Sequence, residues 1–344
     1  MAGGLLQSQI TGSQRSLIDS VTLVNAKELP FLAMVPKGPS VDNLLYEWPL
    51  DQYEDAETNA VEDGKDVENF DNAQQDYAVV ANRIQWLRET AKVSYLSGFQ
   101  NQAGVNDGKG TAKHVAYAYK KKLEKLMRDM EAALCSEQEV VVGSGAAANK
   151  LRGVGGWLAT SITTSGYAVD ADYLPDSSQI LSTATNSVTD AIINGAMGAT
   201  WDRGGGDKAT PFIGLCGRLF KERVSALTQY ASGTNTYASV RTYNADLSKK
   251  VLWHTIDSFQ GDYGLLELHP THWLAHPNVG GTSAKNQRYL FGLRMKTWDL
   301  VYLDRPTRMN LPDLGGGPRF AINAVIGLRC YDPKANFAIK STGA

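Results

Sequence analysis

The sequence has no stretch approaching the ~18 consecutive apolar residues that cross a bilayer, which excludes a spanning helix. Its start, Met1-Ala-Gly-Gly-Leu-Leu-Gln, lacks the basic and apolar regions of a secretory signal. Cysteine is scarce. Cys135, Cys216 and Cys330 are odd in number and lack paired spacing, which argues against a disulfide framework or a four-cysteine zinc site. Such usage fits a chain made and kept in a reducing cytoplasm. Charge of one sign is missing too: 34 Lys+Arg against 36 Asp+Glu leave a formal charge of −2. Such a balance gives no bulk attraction to phosphate, which excludes a strongly basic nucleic-acid coat. No repeat or compositional bias runs through the chain, so collagen-like, coiled-coil and mucin-like classes drop out.

What is present is 344 residues, 43% of them hydrophobic, with 33 Gly. This length suits two or three domains of ~100–200 residues each. Residues 1–29 are rich in Ser, Gln, Thr and Asn and have too few apolar positions for a core. They read as an arm that orders on a surface. Leu29-Pro30-Phe31-Leu32 anchors it. The aromatic run Leu44-Leu45-Tyr46-Glu47-Trp48-Pro49-Leu50 is extended, and residues 51–76 then carry ten acids against the single base Lys65. That segment cannot bury enough apolar surface to make a lobe. The β-branched and aromatic run from Tyr77 to Ser94 is extended again. Two extended flanks around an acidic tip describe a long hairpin that reaches away from the body.

The strongest periodicity predicts a helix from about Lys113 to Ser136, capped by Thr111. Val115, Tyr119, Leu123, Leu126, Met127, Met130, Ala133 and Leu134 recur at spacings of three and four and define one apolar face. Lys120, Lys121, Lys122, Lys125 and Arg128 crowd its middle, and Asp129 and Glu131 follow. Gly143 to Gly156 reads as small and flexible, and residues 160–189 as Ser/Thr-rich loop with strand fragments. A helix is expected over Ser187–Thr200, a loop tip at Trp201–Asp207, a strand at Pro211–Cys216 and a helix at Arg218–Gln229. Strands at 250–256, 262–269, 271–276, 298–303 and 318–331 complete an α+β body.

Catalytic patterns are weak throughout. His269, His272 and His276 fall within eight residues and could in principle hold zinc. Pro270 and Pro277 restrict helix there, however, and no Glu sits between the histidines as a hydrolase base requires. Gly153-Val-Gly155-Gly156 and Gly204-Gly-Gly206-Asp-Lys208 match neither a P-loop nor a dinucleotide fingerprint. Gly143-Ser144-Gly145 is not a nucleophile elbow, and Cys135 reads as a small core residue. The acids of 51–76 lack the ligand spacing of an EF-hand and read as a solvated or partner-facing surface. No enzyme activity, cofactor or metal is expected.

An arm, an acidic hairpin, a Lys-rich rod and an α+β body leave two extensions that make sense on neighbouring copies. Opposed charges favour heterologous contacts, which close into rings or shells. The order of motifs resembles the major capsid (head) proteins of tailed bacteriophages with the Hong Kong 97-type fold. The resemblance rests on Leu29-Pro30-Phe31 with Lys37-Gly38, Glu47-Trp48-Pro-Leu-Asp51, and Glu62-Asp63-Gly64. It continues through the helix Tyr119–Ala133 with Lys125-Leu-Met-Arg128-Asp129-Met-Glu131, and the turn Leu151-Arg-Gly153-Val-Gly155-Gly156-Trp157. Asp304-Arg305-Pro306 and Tyr331-Asp-Pro-Lys-Ala335 complete it. Leu29 stands where the family usually has Thr.

The resemblance implies an N-terminal arm (1–40), an E-loop hairpin (41–83), a peripheral domain with a spine helix (84–156, helix about 113–136), and an axial domain (157–310). Residues 311–344 would return to the peripheral domain. It implies hexamers and pentamers closing an icosahedral head around double-stranded DNA in the virion, assembled in the host cytoplasm. Partners would be further copies, a portal, possible scaffolding or cement proteins, and packaged DNA touched non-specifically, with no membrane. No long scaffold region precedes the arm here, so any scaffolding activity is expected from a separate protein or from a segment outside this sequence. Candidate inter-subunit contacts are Phe31, Trp48, Asp51, Glu62, Asp63, Lys65 and Asp66. The spine residues of interest are Tyr119, Leu123, Leu126, Arg128, Met130 and Glu131. Two alternatives stand beside this one: an encapsulin-type shell of the same fold, and a metal-dependent hydrolase built on His269, His272 and His276.

Overall fold

A computed structural model of the chain describes residues 28–52, 56–67, 78–100, 111–205, 210–227 and 257–341. Expectations for the arm before Glu28, the acids between 68 and 76, the last two residues of the loop tip at Trp201–Asp207 and a strand at 250–256 lie outside the described residues. The rest of that tip, Trp201–Gly205, is a π-helical turn that extends the preceding helix rather than a loop.

The described chain opens with a short helix, α1 (Pro30–Met34), started by the Pro whose missing N–H costs nothing there. Strand β1 (Lys37–Ser40) follows, then β2 (Leu45–Leu50) and β3 (Ala78–Arg83), which pair antiparallel with Trp48 opposite Val80. This pair is the root of the expected hairpin. In β2, alternation buries Tyr46, Trp48 and Leu50 and exposes Leu45, Glu47 and Pro49. After Ile84 alone, β4 (Gln85–Lys92) continues the chain, and helix α2 (Thr111–Leu134) comes next. Its 24 residues make a rod of ~36 Å. Thr111 is the first helical residue rather than a preceding cap, and the helix ends two residues before Ser136.

Beyond α2 come α3 (Val154–Trp157), β5 (Ile180–Leu181), α4 (Asp190–Thr200), β6 (Phe212–Cys216) and α5 (Arg218–Leu227). The Thr189 hydroxyl caps α4 by accepting from the Ile192 N–H. Then follow β7 (Ser258–Gly261), β8 (Gly264–Pro270), α6 (Ser283–Arg288), β9 (Leu290–Leu293), β10 (Trp298–Leu311), β11 (Arg319–Cys330) and β12 (Phe337–Ile339).

These strands form two larger sheets. One has the order β1-β10-β11-β4 and carries α2 against β4 and β11. The other has the order β5-β12-β9-β6-β8-β7. One continuous apolar core joins them, from Phe31, Trp48 and Leu126 through Trp298 and Ile322 to Phe291 and Ala338. A second cluster, Val188, Ile193, Met197, Phe212 and Phe220 among its members, fills the space under α4 and α5.

Four expectations need correction. The 157–310 boundary falls inside a ladder: β10 runs to Leu311 and pairs with β11 along its length, so it belongs with the α2 sheet. The chain end does not simply return to that sheet, because β12 pairs with β9 and β5 in the six-stranded one. Residues 271–276 form turns rather than a strand, since Pro270 ends β8 and the His276 Nδ1 accepts from the Asn278 N–H to cap the turn at Pro277. Nor are all the glycines of 143–156 loose. Gly153, Gly155 and Gly156 are buried, and a Cβ on them would collide with Ser136, Glu137 and Gln138 respectively.

Candidate assembly interface

Along α2, Leu126, Met130, Ala133 and Leu134 are fully buried, and Val115 nearly so. Tyr119 and Leu123 are half-buried at the edge of the core, with the Tyr119 ring edge-on to Phe320 at 6.0 Å. Met127 is exposed, so the apolar face is narrower than its spacing suggests. Glu131 lies fully inside, although the sequence places it with the polar residues. Its Oε1 accepts from the Phe31 N–H at 2.9 Å and its Oε2 from the Leu32 N–H at 2.7 Å.

The lysines divide into two groups. Lys122 and Lys125 turn back to Glu89 on β4, the first at 2.7 Å. Burial raises the Glu89 carboxyl, but these two hydrogen bonds outweigh it and hold the group below its usual range. Lys120 and Lys121 stay exposed, and Arg128 is half-buried. This stretch of helix therefore presents positive charge outward.

The hairpin root is locked to its own chain. The Tyr46 hydroxyl donates to the Leu328 carbonyl at 2.7 Å, and the Trp48 indole N–H to the Cys330 carbonyl at 2.9 Å. The Tyr46 and Trp48 rings stack at 5.6 Å, and Trp48 meets Trp157 at 5.7 Å. Asn82 on β3 donates to the Leu328 carbonyl, and its Oδ1 accepts from the Arg152 N–H. Phe31 is likewise enclosed, with no exposed surface. As candidate contacts Phe31 and Trp48 are thus corrected: both side chains are spent inside their own chain, Phe31 from helix α1 and Trp48 from the inward face of β2.

The tip is the opposite. Residues 56–67 are all exposed, including Glu62, Asp63, Lys65 and Asp66, and Asp51 at its entrance is exposed as well. Val61 and Val67 are 70% and 72% exposed among them. Gly64 makes the turn with φ near +84°, and the Lys65 N–H donates to the Glu62 carbonyl.

Other exposed groups went unread in the sequence. Leu96 and Phe99 just past β4, and Leu314 in the β10–β11 turn, are 67%, 59% and 79% exposed. The Tyr95 N–H donates to the Gly316 carbonyl, which brings the two loops together at one end of the sheet. The signal was available in Leu314 beside three glycines. Trp86, half exposed, carries the Arg88 guanidinium 4.0 Å over its ring. Trp86 lies at the far end of β4 from Leu96, Phe99 and Leu314, so the exposed apolar groups fall in two separate places.

The histidines do not converge. His269 lies on β8 near Glu267, the His272 carbonyl accepts from Asn286, and His276 caps its turn. Among the described residues no three His, Cys, Asp or Glu side chains group to hold a metal ion. No described helix is long and apolar enough to cross a membrane.

No curated protein sequence matches the chain. Solved structures do resemble it. The capsid of a native GTA particle shares 9% identity at a TM-score of 0.59, covering 98% of this chain and 97% of that one. A structure from Mycobacterium phage Bobi shares 9% at 0.58, covering 99% and 100%. The cyanophage Pam1 capsid shares 13% at 0.56, covering 99% and 98%. At such identities the likeness establishes the fold: mixed helix and sheet, arranged as in phage capsids. The sequence itself carries the rest, since residues 5–343 match the SU10 major capsid protein family, and the chain belongs to that family.

Proposed function

We propose that copies of this chain associate as hexamers and pentamers and close an icosahedral head around double-stranded DNA. The observation that carries the reading is the exposed acidic tip at 56–67, which has no fold of its own and stands on a root fixed in the core. Its negative charge suits the outward Lys120 and Lys121 of a neighbour's spine helix. Asp51, Glu62, Asp63, Lys65 and Asp66 are the proposed contact residues, with Leu96, Phe99 and Leu314 as an apolar addition.

In domain terms the reading takes 1–40 as the arm and 41–83 as the E-loop hairpin. The peripheral domain combines 84–156 with the strands β10 and β11, and the axial domain combines the six-stranded sheet with α4 and α5. A portal, and scaffolding or cement proteins where the particle uses them, would be further partners, and the wall touches packed DNA without reading its sequence. The protein resides in the virion, and its assembly belongs to the host cytoplasm. Membership of a structural capsid family favours neither the encapsulin-type shell nor a hydrolase.

Negative-stain microscopy of the expressed chain tests this directly. Closed shells or ring-shaped capsomers are the expected result. Small compact particles at every protein and salt concentration would overturn it.

A further inference from the structure

A buried carboxylate holds the N-terminal arm to the spine. Helix α1 has no side-chain cap of its own, and Pro30 offers no N–H. The next two N–H groups, of Phe31 and Leu32, both point into the Glu131 carboxylate. One side chain from a residue a hundred positions away therefore caps the arm. The surroundings are apolar: Phe31, Leu126, Met130 and Leu134 belong to the same core.

The charged groups nearby do not neutralise it. Helix α1 itself (Pro-Phe-Leu-Ala-Met) has none. On α2, the Cys135 thiol one turn on is pushed up by burial and then by Glu131. Burial raises the Asp129 carboxyl, whose charged neighbours are Lys125, Glu89 and Lys122 on the other side of the helix. Burial lowers His276 from the 271–276 turns, whose charged neighbour is Asp129. Glu131 is acted on by burial and by the two amides alone, and burial wins, pushing the carboxyl up to about 7.

We propose that Glu131 is a pH-sensitive latch for the N-terminal arm, gripping most firmly when its carboxyl is protonated and loosening as the pH rises through neutrality. Lifting α1 away exposes the carboxyl to water and returns it towards its ordinary value. The docked state thus binds the proton more tightly than the undocked one, so acid favours docking. Protonation weakens one of the two amide bonds, because a hydroxyl oxygen accepts poorly. It also removes a buried charge, and that effect is the larger. Between pH ~4.5 and above ~7 the docking equilibrium changes by up to about two orders of magnitude. The geometry lies within one chain, so the latch stands or falls independently of shell formation.

Hydrogen exchange read by mass spectrometry on the full-length chain tests it, using peptides that cover residues 28–35. Rates are divided by the intrinsic exchange rate at each pH. Protection of this segment should fall at least tenfold from pH 5.5 to pH 8.5, while peptides from β11 keep theirs. In Glu131→Gln the protection should no longer depend on pH. Unchanged protection in the wild type, or equal pH dependence in Glu131→Gln, overturns the latch. Leu32→Pro serves as a second variant, since Pro is tolerated in a first helical turn and deletes one of the two N–H donors. With less to hold the carboxyl down, the loss of protection should move to higher pH; an unmoved transition also overturns it.

Discussion

The root and the tip of the hairpin differ in almost every physical respect. At the root, Tyr46, Trp48, Leu50 and Val80 are buried, and the polar atoms of both rings are bonded to the backbone of β11. At the tip every described residue is exposed, and the ten acids of 51–76 face one lysine. Burying a large aromatic contributes ~2–3 kcal/mol, enough to fix the direction in which the hairpin leaves the body. A run of like charge cannot gain that way, because each carboxylate taken from water needs a partner. The root is thus committed to its own chain, whereas the described tip residues bury nothing against it and carry the proposed contact with a neighbour. Substitutions at the two should fail in different ways.

The largest effect is expected in the core that the root shares with α2. Leu126→Asp removes ~2–5 kcal/mol of packing and adds an unpaired buried charge, against a whole-domain stability of ~5–15 kcal/mol. Circular dichroism should show an unfolded chain. A soluble, folded variant would mean that this face of α2 is not core. Trp48→Ala should cost ~3–5 kcal/mol, since it empties the space beside Trp157 and leaves the Cys330 carbonyl unpaired. A lowered midpoint in denaturant with an unchanged slope is the expected trace. Full stability would show that the root is not fixed by its aromatics.

The tip should behave oppositely. Replacing residues 56–67 by a short Gly/Ser turn removes only exposed groups, and loop length enters stability logarithmically. The denaturation midpoint should stay near wild type while sedimentation finds only monomers or small capsomers. Closed shells from this variant would make the tip decorative. Unfolding would make it part of the core.

Much of this contrast was legible beforehand. The acid count gave the tip, the aromatic, extended run Leu44–Leu50 gave the root, and spacings of three and four gave α2 to within two residues at each end. Periodicity and charge are local properties, so they survive translation into structure. What failed was partnership at a distance. Trp48 and Phe31 looked like contacts for a neighbour because nothing in their local sequence reveals Cys330 or Glu131. Glu131 itself reads as one more polar residue after Asp129, yet helical geometry turns it inward beside Met130. The split at 310 failed similarly: β10 and β11 form one hairpin, and only the β-ladder reveals that.

Charge inside the chain offers a further separation. Glu89 is almost enclosed and bonded to Lys122 and Lys125, so Glu89→Gln should cost about 1–3 kcal/mol at neutral pH. Its carboxyl sits lower in the folded chain than in the unfolded one. Its contribution is therefore complete above the ordinary carboxylate range and fades as pH falls through the lowered value. The wild-type advantage over Glu89→Gln should hold at pH 7 and disappear well below pH 4. An advantage independent of pH would mean that shape, not charge, holds β4 to α2.

Salt should produce the smallest and most selective effect. Exposed charges are screened beyond ~8–10 Å at physiological ionic strength, whereas the Glu89 carboxylate is largely enclosed and holds Lys122 and Lys125 by direct contact. Raising salt from low to ~0.5 M should therefore leave the denaturation midpoint of the subunit nearly unchanged. It should still raise the protein concentration at which shells form, since the tip meets its basic partner through exposed groups. Apolar contacts from Leu96, Phe99 and Leu314 work against this trend, because added salt strengthens them. A net change of a few-fold in critical concentration is the expected balance. The comparison becomes sharper in Lys120→Gln/Lys121→Gln, which removes the outward basic pair without touching the core. In that variant the salt dependence should flatten or reverse. If it keeps the wild-type slope, the acidic tip meets some other surface. If wild-type assembly itself strengthens with salt, apolar contact dominates and the division of labour between root and tip does not rest on charge.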